Sequence, residues 1–374
     1  MNWITWIYII ILLIIFLFGA RCAKPGQFVQ NALPLRVTKG IQGFFALCIL
    51  VHHLALQVRY LPAYDNGLRF FENLGVLFVG FFFFCSGYGL IISSETKEHY
   101  LDTFVKRRVF TVLVPFFICN YAFMFTTLLR GNQYSVGTLV QAFFGLFLLN
   151  DHMWFAVEIM ILYMVFFLLF RFVKKEWVRY FLMTFFVLIM MTVSFFLGHE
   201  KAGLQGAYWF KGEWWYNTTP LMLVGMLIAR FRKPLRVMAQ KLYWVLLAVD
   251  AILFYGLFAG TVTLISTGGY WTEYANYKGY VDKITTLSVQ LPMVISFVIL
   301  LLLILLKVEI NNKALEFFGK ISLEMILLEK VFMTAFVRIG TKYSYNVYCA
   351  LVIVATILVA IVINKVKMLV LEKK

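Results

Sequence analysis

The chain has 374 residues, of which 62% are hydrophobic, 18% aromatic and only 14% charged. An average soluble domain carries about 25% charged residues, so the polar surface is too small for a soluble globular or disordered chain. The formal net charge of +16 would suggest nucleic acid in a soluble protein; here basic residues gathered on the inner side of membrane helices account for it, and no nucleic-acid partner is expected.

In chain order, eleven apolar stretches stand out, at about 3–20, 40–58, 73–93, 109–129, 153–171, 178–197, 217–230, 241–260, 285–307, 316–337 and 345–364. A spanning helix takes about 20 apolar residues. The expected fold is therefore all-α, a polytopic helical bundle of about eleven transmembrane helices. The seventh stretch is short. A further one at 138–149 is too short to span and reads as re-entrant or interfacial. The first stretch has no basic residue before it and no small-x-small site after it, so a cleaved leader is not expected. Five Cys stand singly, without CxxC or Cys/His spacing, so neither a metal nor a disulfide framework is expected.

Charge counting sets the expected orientation. With the N-terminus outside, the inner loops hold 24 Lys and Arg and the outer loops nine. The positive-inside rule then favours N-out, C-in, in a multi-pass plasma-membrane protein. Trp3, Trp6, Trp154, Trp209, Trp214, Trp215 and Trp271 fall near the outer face, where indoles favour the headgroup level. With Tyr208, Tyr270 and Tyr274 they make an aromatic outer surface, read mainly as an interfacial belt.

Ionisable residues inside spans are costly and mark candidate sites. His52 and His53 lie in the second span, Glu158 in the fifth, and Glu324, Glu329 and Lys330 in the tenth. Adjacent helical residues point about 100° apart, so one histidine can face a water-filled cavity while the other faces a neighbouring helix. Such a histidine is a candidate general base; an interhelical hydrogen bond or a proton relay would use the same group. Lys106, Arg107 and Arg108 precede the fourth span. They read either as a topology anchor or as a cradle for a phosphorylated donor. In the string His152-Met153-Trp154-Phe155-Ala156-Val157-Glu158, Trp154 and Glu158 share a helix face. Lys330 is expected to pair with a carboxylate from another span.

Several strings, in order, resemble the membrane-integral acyltransferase 3 family. They are Lys39-Gly40-Ile41-Gln42-Gly43 running into His52-His53; Phe83-Phe84-Cys85-Ser86-Gly87-Tyr88-Gly89; Tyr100 to Arg108 and Pro115-Phe116; Met153-Trp154-Phe155 with Glu158; and Gly319-Lys320-Ile321-Ser322-Leu323-Glu324 with Leu327-Leu328. The resemblance implies a ten-helix acyltransferase domain, here residues 35–374. Residues 1–34 would form an extra N-terminal helix and its cytoplasmic linker. It also implies transfer of an acyl group, usually acetyl, from acyl-CoA to a hydroxyl on a glycan or similar acceptor. His53 aligns best with the family's catalytic histidine, with His52 and Glu158 as further catalytic candidates. Lys39, Lys106, Arg107 and Arg108 would bind the donor. Gln42, Ser86, Tyr88, Trp154, Glu324 and Glu329 would line the substrate site. The chain departs from the family pattern at Gln42 and Thr111, where the family often has Arg, and at Glu329, where it usually has His.

The competing reading is a transporter or flippase of a lipid-linked saccharide or small anion. That class favours inverted repeats, and no repeat is visible in the sequence. A non-catalytic scaffold would leave the buried histidine pair without a reason.

Overall fold

A computed structural model describes residues 3–61, 64–199, 206–268, 270 and 277–372. Trp271 and Tyr274 of the sequence reading lie outside these residues, and the side chain of Trp214 is not described. Among the described residues the chain forms α1 (Trp3–Leu17), α2 (Leu35–Val58), α3 (Gly75–Thr96), α4 (Phe110–Leu129), α5 (Val136–Phe143), α6 (Trp154–Phe172) and α7 (Glu176–Leu197). It continues through α8 (Trp214–Asn217), α9 (Leu221–Arg230), α10 (Arg232–Lys241), α11 (Tyr243–Thr267), α12 (Tyr277–Leu305), α13 (Lys313–Lys342) and α14 (Tyr345–Glu372).

Among the described residues, eight helical segments are long and apolar enough to cross a membrane: those over Leu35–Val58, Gly75–Thr96, Val105–Leu129, Asp151–Phe172, Glu176–Leu197, Tyr243–Thr267, Tyr277–Leu305 and Tyr345–Leu371. All eleven apolar stretches fall on helices, and three differ from a simple span for separate reasons. α1 has 15 residues, about 22 Å at the helical rise, against about 30 Å of hydrocarbon. The seventh stretch is broken into the four-residue α8 and the ten-residue α9. α13 is 30 residues long, but it carries Glu316, Lys320, Glu324, Glu329 and Lys330. The 138–149 segment is no span: it begins in α5 and ends in the short strand Phe147–Leu148, which pairs antiparallel with Ala207–Tyr208.

The centre of the bundle is the pair α2 and α13. Asn312 caps α13, its side-chain oxygen accepting from the Leu315 N–H at 2.9 Å. The two helices touch backbone to backbone. A Cβ on Gly43 would lie 2.2 Å from the Gly319 nitrogen, and one on Gly40 would lie 3.2 Å from Leu315 Cβ. Small residues allow this approach in a membrane bundle, where close packing rather than water drives helix association. Contacts at Gly40 with Leu315, Gly43 with Gly319 and His53 with Glu329 advance together along both chains, so the helices run parallel in one register.

Around this pair the other helices pack mainly antiparallel to their neighbours. α3 crosses α9 through Gly87 on the Met222 carbonyl and Gly225 on that of Phe84, where added Cβ atoms would meet oxygen at 2.0 and 2.1 Å. α14 returns along α13, with Asn364 donating to the Lys320 carbonyl and Tyr348 to that of Met333. The segment between α1 and α2 pairs Arg21–Cys22 with Val308–Glu309, and Arg236 of α10 donates to the Val29 carbonyl at 2.7 Å.

Candidate active site

The histidine pair on α2 diverges, as adjacent helical positions must. His52 Nδ1 lies 2.9 Å from the Phe71 carbonyl. Its ring packs on Gly75 at the start of α3, where an added Cβ would come within 2.4 Å of His52 Nε2. His53 turns toward α13 and places Nδ1 in hydrogen-bond contact with the Glu329 carboxylate. The register explains the meeting. His53 is ten residues beyond Gly43, and Glu329 is ten beyond Gly319. At the helical rise both side chains therefore sit about 15 Å along from the same backbone contact.

A third group joins from a non-helical turn. Residues Asp151–Met153 form a single 3-10 turn ahead of α6. The Asn150 side chain accepts from the His152 N–H at 3.1 Å and donates to the Leu327 carbonyl at 3.2 Å, which ties the turn to α13. Asp151 pairs with Lys330, the expected carboxylate from outside its own helix. His152 Nδ1 then lies 3.1 Å from the same Glu329 oxygen that meets His53. The two imidazoles stack with centroids 3.9 Å apart. Glu329 is fully buried, and its second carboxylate oxygen has no hydrogen-bond partner among the described residues.

The other residues expected in the site divide into groups. Glu158 is fully buried on α6 and accepts from Thr219 at 2.8 Å, and its other oxygen is enclosed without a partner among the described residues. Trp154 stacks on Phe83 at 6.2 Å. Ser86 accepts from Tyr163 at 3.3 Å, and Tyr88 stacks on Phe84 at 6.0 Å. Gln42 is half-buried, one residue from the Gly43 contact. Among the hydrogen bonds of these residues, none joins Glu158, Ser86 or Tyr88 to the histidines.

A second polar cluster lies at the other end of α2. The turn Val105–Val109 is a π-type bulge, a feature that re-aims side chains. Arg108 turns inward there, its Nε donating to Tyr100 at 3.0 Å and its NH2 reaching the Ser93 hydroxyl at 3.5 Å, while Lys106 and Arg107 stay exposed. Lys39 is solvent-accessible, yet it interacts electrostatically with Arg108, Lys367 and Glu324. Glu324 is fully buried and takes Lys367 at 2.5 Å and Asn364 at 3.2 Å. From Lys39 to His53 is fourteen residues, about 21 Å of helix. The two clusters are thus separated along the helix axis and joined by one rigid element.

A family model described as an acyltransferase domain matches residues 39–365. The chain belongs to the acyltransferase 3 family. No curated protein and no solved structure matches it. The matched region begins at Lys39 and takes in both clusters except Lys367.

Sequence reasoning did not assign His152, Asn150 or Lys367 to a site. Asn150-Asp151-His152 is a polar triplet directly ahead of an apolar run, which is a helix-start signature and a usable signal. Lys367 looks like any other basic residue at a helix end, and nothing in its neighbours marks it.

Proposed function

We propose that the chain is a membrane O-acyltransferase. It moves an acyl group, acetyl in the first instance, from cytoplasmic acyl-CoA to a hydroxyl of an extracytoplasmic glycan or related acceptor. The observation that carries the reading is the pairing of His53 with a buried carboxylate inside a chain of this family. In the proposed step, His53 donates its Nδ1 proton in a hydrogen bond to Glu329, which leaves Nε2 free. Nε2 takes the proton of the acceptor hydroxyl as its oxygen attacks the thioester carbonyl. The tetrahedral intermediate collapses, the C–S bond breaks, and the departing thiolate receives the proton back from His53. Glu329 holds the ring in one tautomer and stabilises the imidazolium, as the carboxylate of a Ser-His-Asp triad does.

The donor is assigned to the cluster of Lys39, Arg108 and Lys367. Guanidinium and ammonium groups pair with phosphate oxygens, and the long pantetheine arm of coenzyme A suits the spacing of the two clusters. The excess of Lys and Arg on the same side as Lys39 and Arg108 supports a cytoplasmic donor end, an extracytoplasmic N-terminus and a cytoplasmic C-terminus. His53 then acts partway across the bilayer, with the acceptor entering from outside.

The test is to quantify ester-linked acyl groups on envelope glycans of cells making the intact chain or His53→Ala at matched membrane levels. Esters present with the intact chain and lost with His53→Ala support the reading and identify the acyl group. Esters undiminished in His53→Ala remove His53 from the mechanism. If neither chain changes the esters, an envelope glycan is not the acceptor, or the chain moves a substrate rather than acylating it.

A further inference from the structure

Three ligating atoms meet in the His53 cluster. His53, His152 and Glu329 each offer one such atom, and all three lie within 4.8 Å of one another. They come from α2, from the turn before α6 and from α13, so no spacing rule in the sequence brings them together. We propose that this cluster is a binding site for a divalent transition-metal ion of the Zn2+ class, and that the ion, when bound, shuts the transferase off.

The donor set is the first reason. Two imidazoles and one carboxylate, with a fourth position left open, is the ligand set of many three-ligand zinc sites. Hard cations such as Ca2+ and Mg2+ need six or more oxygens and would find one carboxylate here. The spacing is the second reason. Zinc bonds of about 2.0–2.1 Å in a tetrahedron place ligand atoms about 3.3 Å apart, and His152 Nδ1 already stands 3.1 Å from the Glu329 oxygen. His53 need only move outward from its hydrogen bond for an ion to sit between the three.

The third reason is the carboxylate itself. Glu329 is fully buried and its second oxygen has no hydrogen-bond partner among the described residues, so it retains unused capacity to coordinate. The histidine side chains are 16% and 21% exposed, so the cluster is not sealed from its surroundings. The nearest cation, Lys330, is already paired with Asp151, which offsets its repulsion. The Asn150 clamp fixes the loop that carries His152, as supporting hydrogen bonds fix ligands in metal sites.

Binding consumes the catalytic pair. The ion takes the Nδ1 position of His53 and the charge of Glu329, and the single ring proton moves from Nδ1 to Nε2. A metallated His53 ring carries its remaining proton on Nε2, the atom assigned to receive the acceptor's proton. The site itself stands on geometry alone; its inhibitory effect rests on the transferase reading.

The experiment uses the full-length chain purified in detergent, with any affinity tag removed, and titrates Zn2+ by equilibrium dialysis with metal analysis. The expected result is one saturable Zn2+ per chain, unaffected by excess Mg2+. Supporting residues alone change affinity 10- to 100-fold, so His152→Ala and His152→Gln should each weaken binding by at least about tenfold. His99→Ala removes an exposed histidine outside the cluster and should leave binding unchanged. Two His152 variants, each checked for a single gel-filtration peak, guard against loss of fold. Absence of saturable binding, or equal binding by the folded His152 variants, overturns the site. In the transfer assay, half-inhibition should fall at the Zn2+ concentration that half-fills the site. Full transfer with the site filled, or transfer that requires Zn2+ and is lost with chelator, overturns the inhibitory role. Should the chain transfer no acyl group at all, the dialysis still decides the site, and the failure belongs to the transferase reading.

Discussion

α2 and α11 have similar mean hydropathy, 1.7 and 2.1 over an 18-residue window, yet 72% of that window is buried inside the protein in α2 and 11% in α11. Both contain glycine. A Cβ on Gly43 of α2 would collide with the α13 backbone, whereas one on Gly256 of α11 meets nothing within 4 Å. α2 also carries Thr38, Lys39, Gln42, His52 and His53, while α11 holds one acid, Asp250, satisfied in part by Ser296 at 2.8 Å. Hydropathy reports only that a segment prefers lipid or protein to water. Whether it faces lipid or protein depends on where small and polar side chains fall, because these are useful only against another helix.

This contrast can be tested by substitutions of decreasing consequence. Glu329→Gln keeps the shape of the side chain and removes its charge. It should lower the rate of ester formation by about 10²- to 10⁴-fold, the usual worth of a working acid-base pair, with normal protein levels in the membrane. A rate within a factor of three of the unmodified chain would detach Glu329 from the chemistry. Gly43→Ala should force α2 and α13 apart. A misplacement of about 1 Å can cost 10²-fold in rate, so transfer should fall by about that factor, with a lowered melting temperature in detergent. Unchanged activity would mean that the backbone contact does not set the His53–Glu329 register.

Asn150→Ala removes the bonds to His152 and Leu327 together. Buried groups left unpaired cost about 1–3 kcal/mol, so a modest loss of thermal stability and a smaller loss of activity than for Gly43→Ala are expected. Loss of stability without any change in rate would make the clamp purely structural. Gly256→Ala is the counterpart on α11. With open space around it, replacement should change stability by no more than about 1 kcal/mol, toward stabilisation by helix propensity, and should leave transfer unchanged. Inactivation by Gly256→Ala would show that the lipid-exposed face of α11 carries a contact that this chain alone does not reveal.

Much of the fold was legible in the sequence. Each of the eleven apolar stretches falls on a helix, because twenty apolar residues in a row leave lipid as the only favourable surrounding. The seventh stretch stood out in the sequence only as short, and the structure places the break between α8 and α9 at Thr218–Pro220. α13 was harder. Its charges argue against a lipid-facing helix, and only its neighbours show how they are accommodated: Glu324 by Lys367 and Asn364, Glu329 by His53, Lys330 by Asp151.

The site was legible in part. His53 and Glu329 both stood out as ionisable groups in apolar runs, but nothing local says that they meet across 276 residues of sequence. Likewise the run Lys106-Arg107-Arg108 is uniform in charge, and the π bulge decides that Arg108 alone turns inward. The chain's class, its helices and its family strings are local properties, set by each segment's own affinity for lipid and by residues close together in sequence. The pairing of His53 with Glu329, the joining of His152 and the choice of inward-facing cation are relations between segments. They follow from the register at which Gly43 meets Gly319, and a register exists only once two helices have packed.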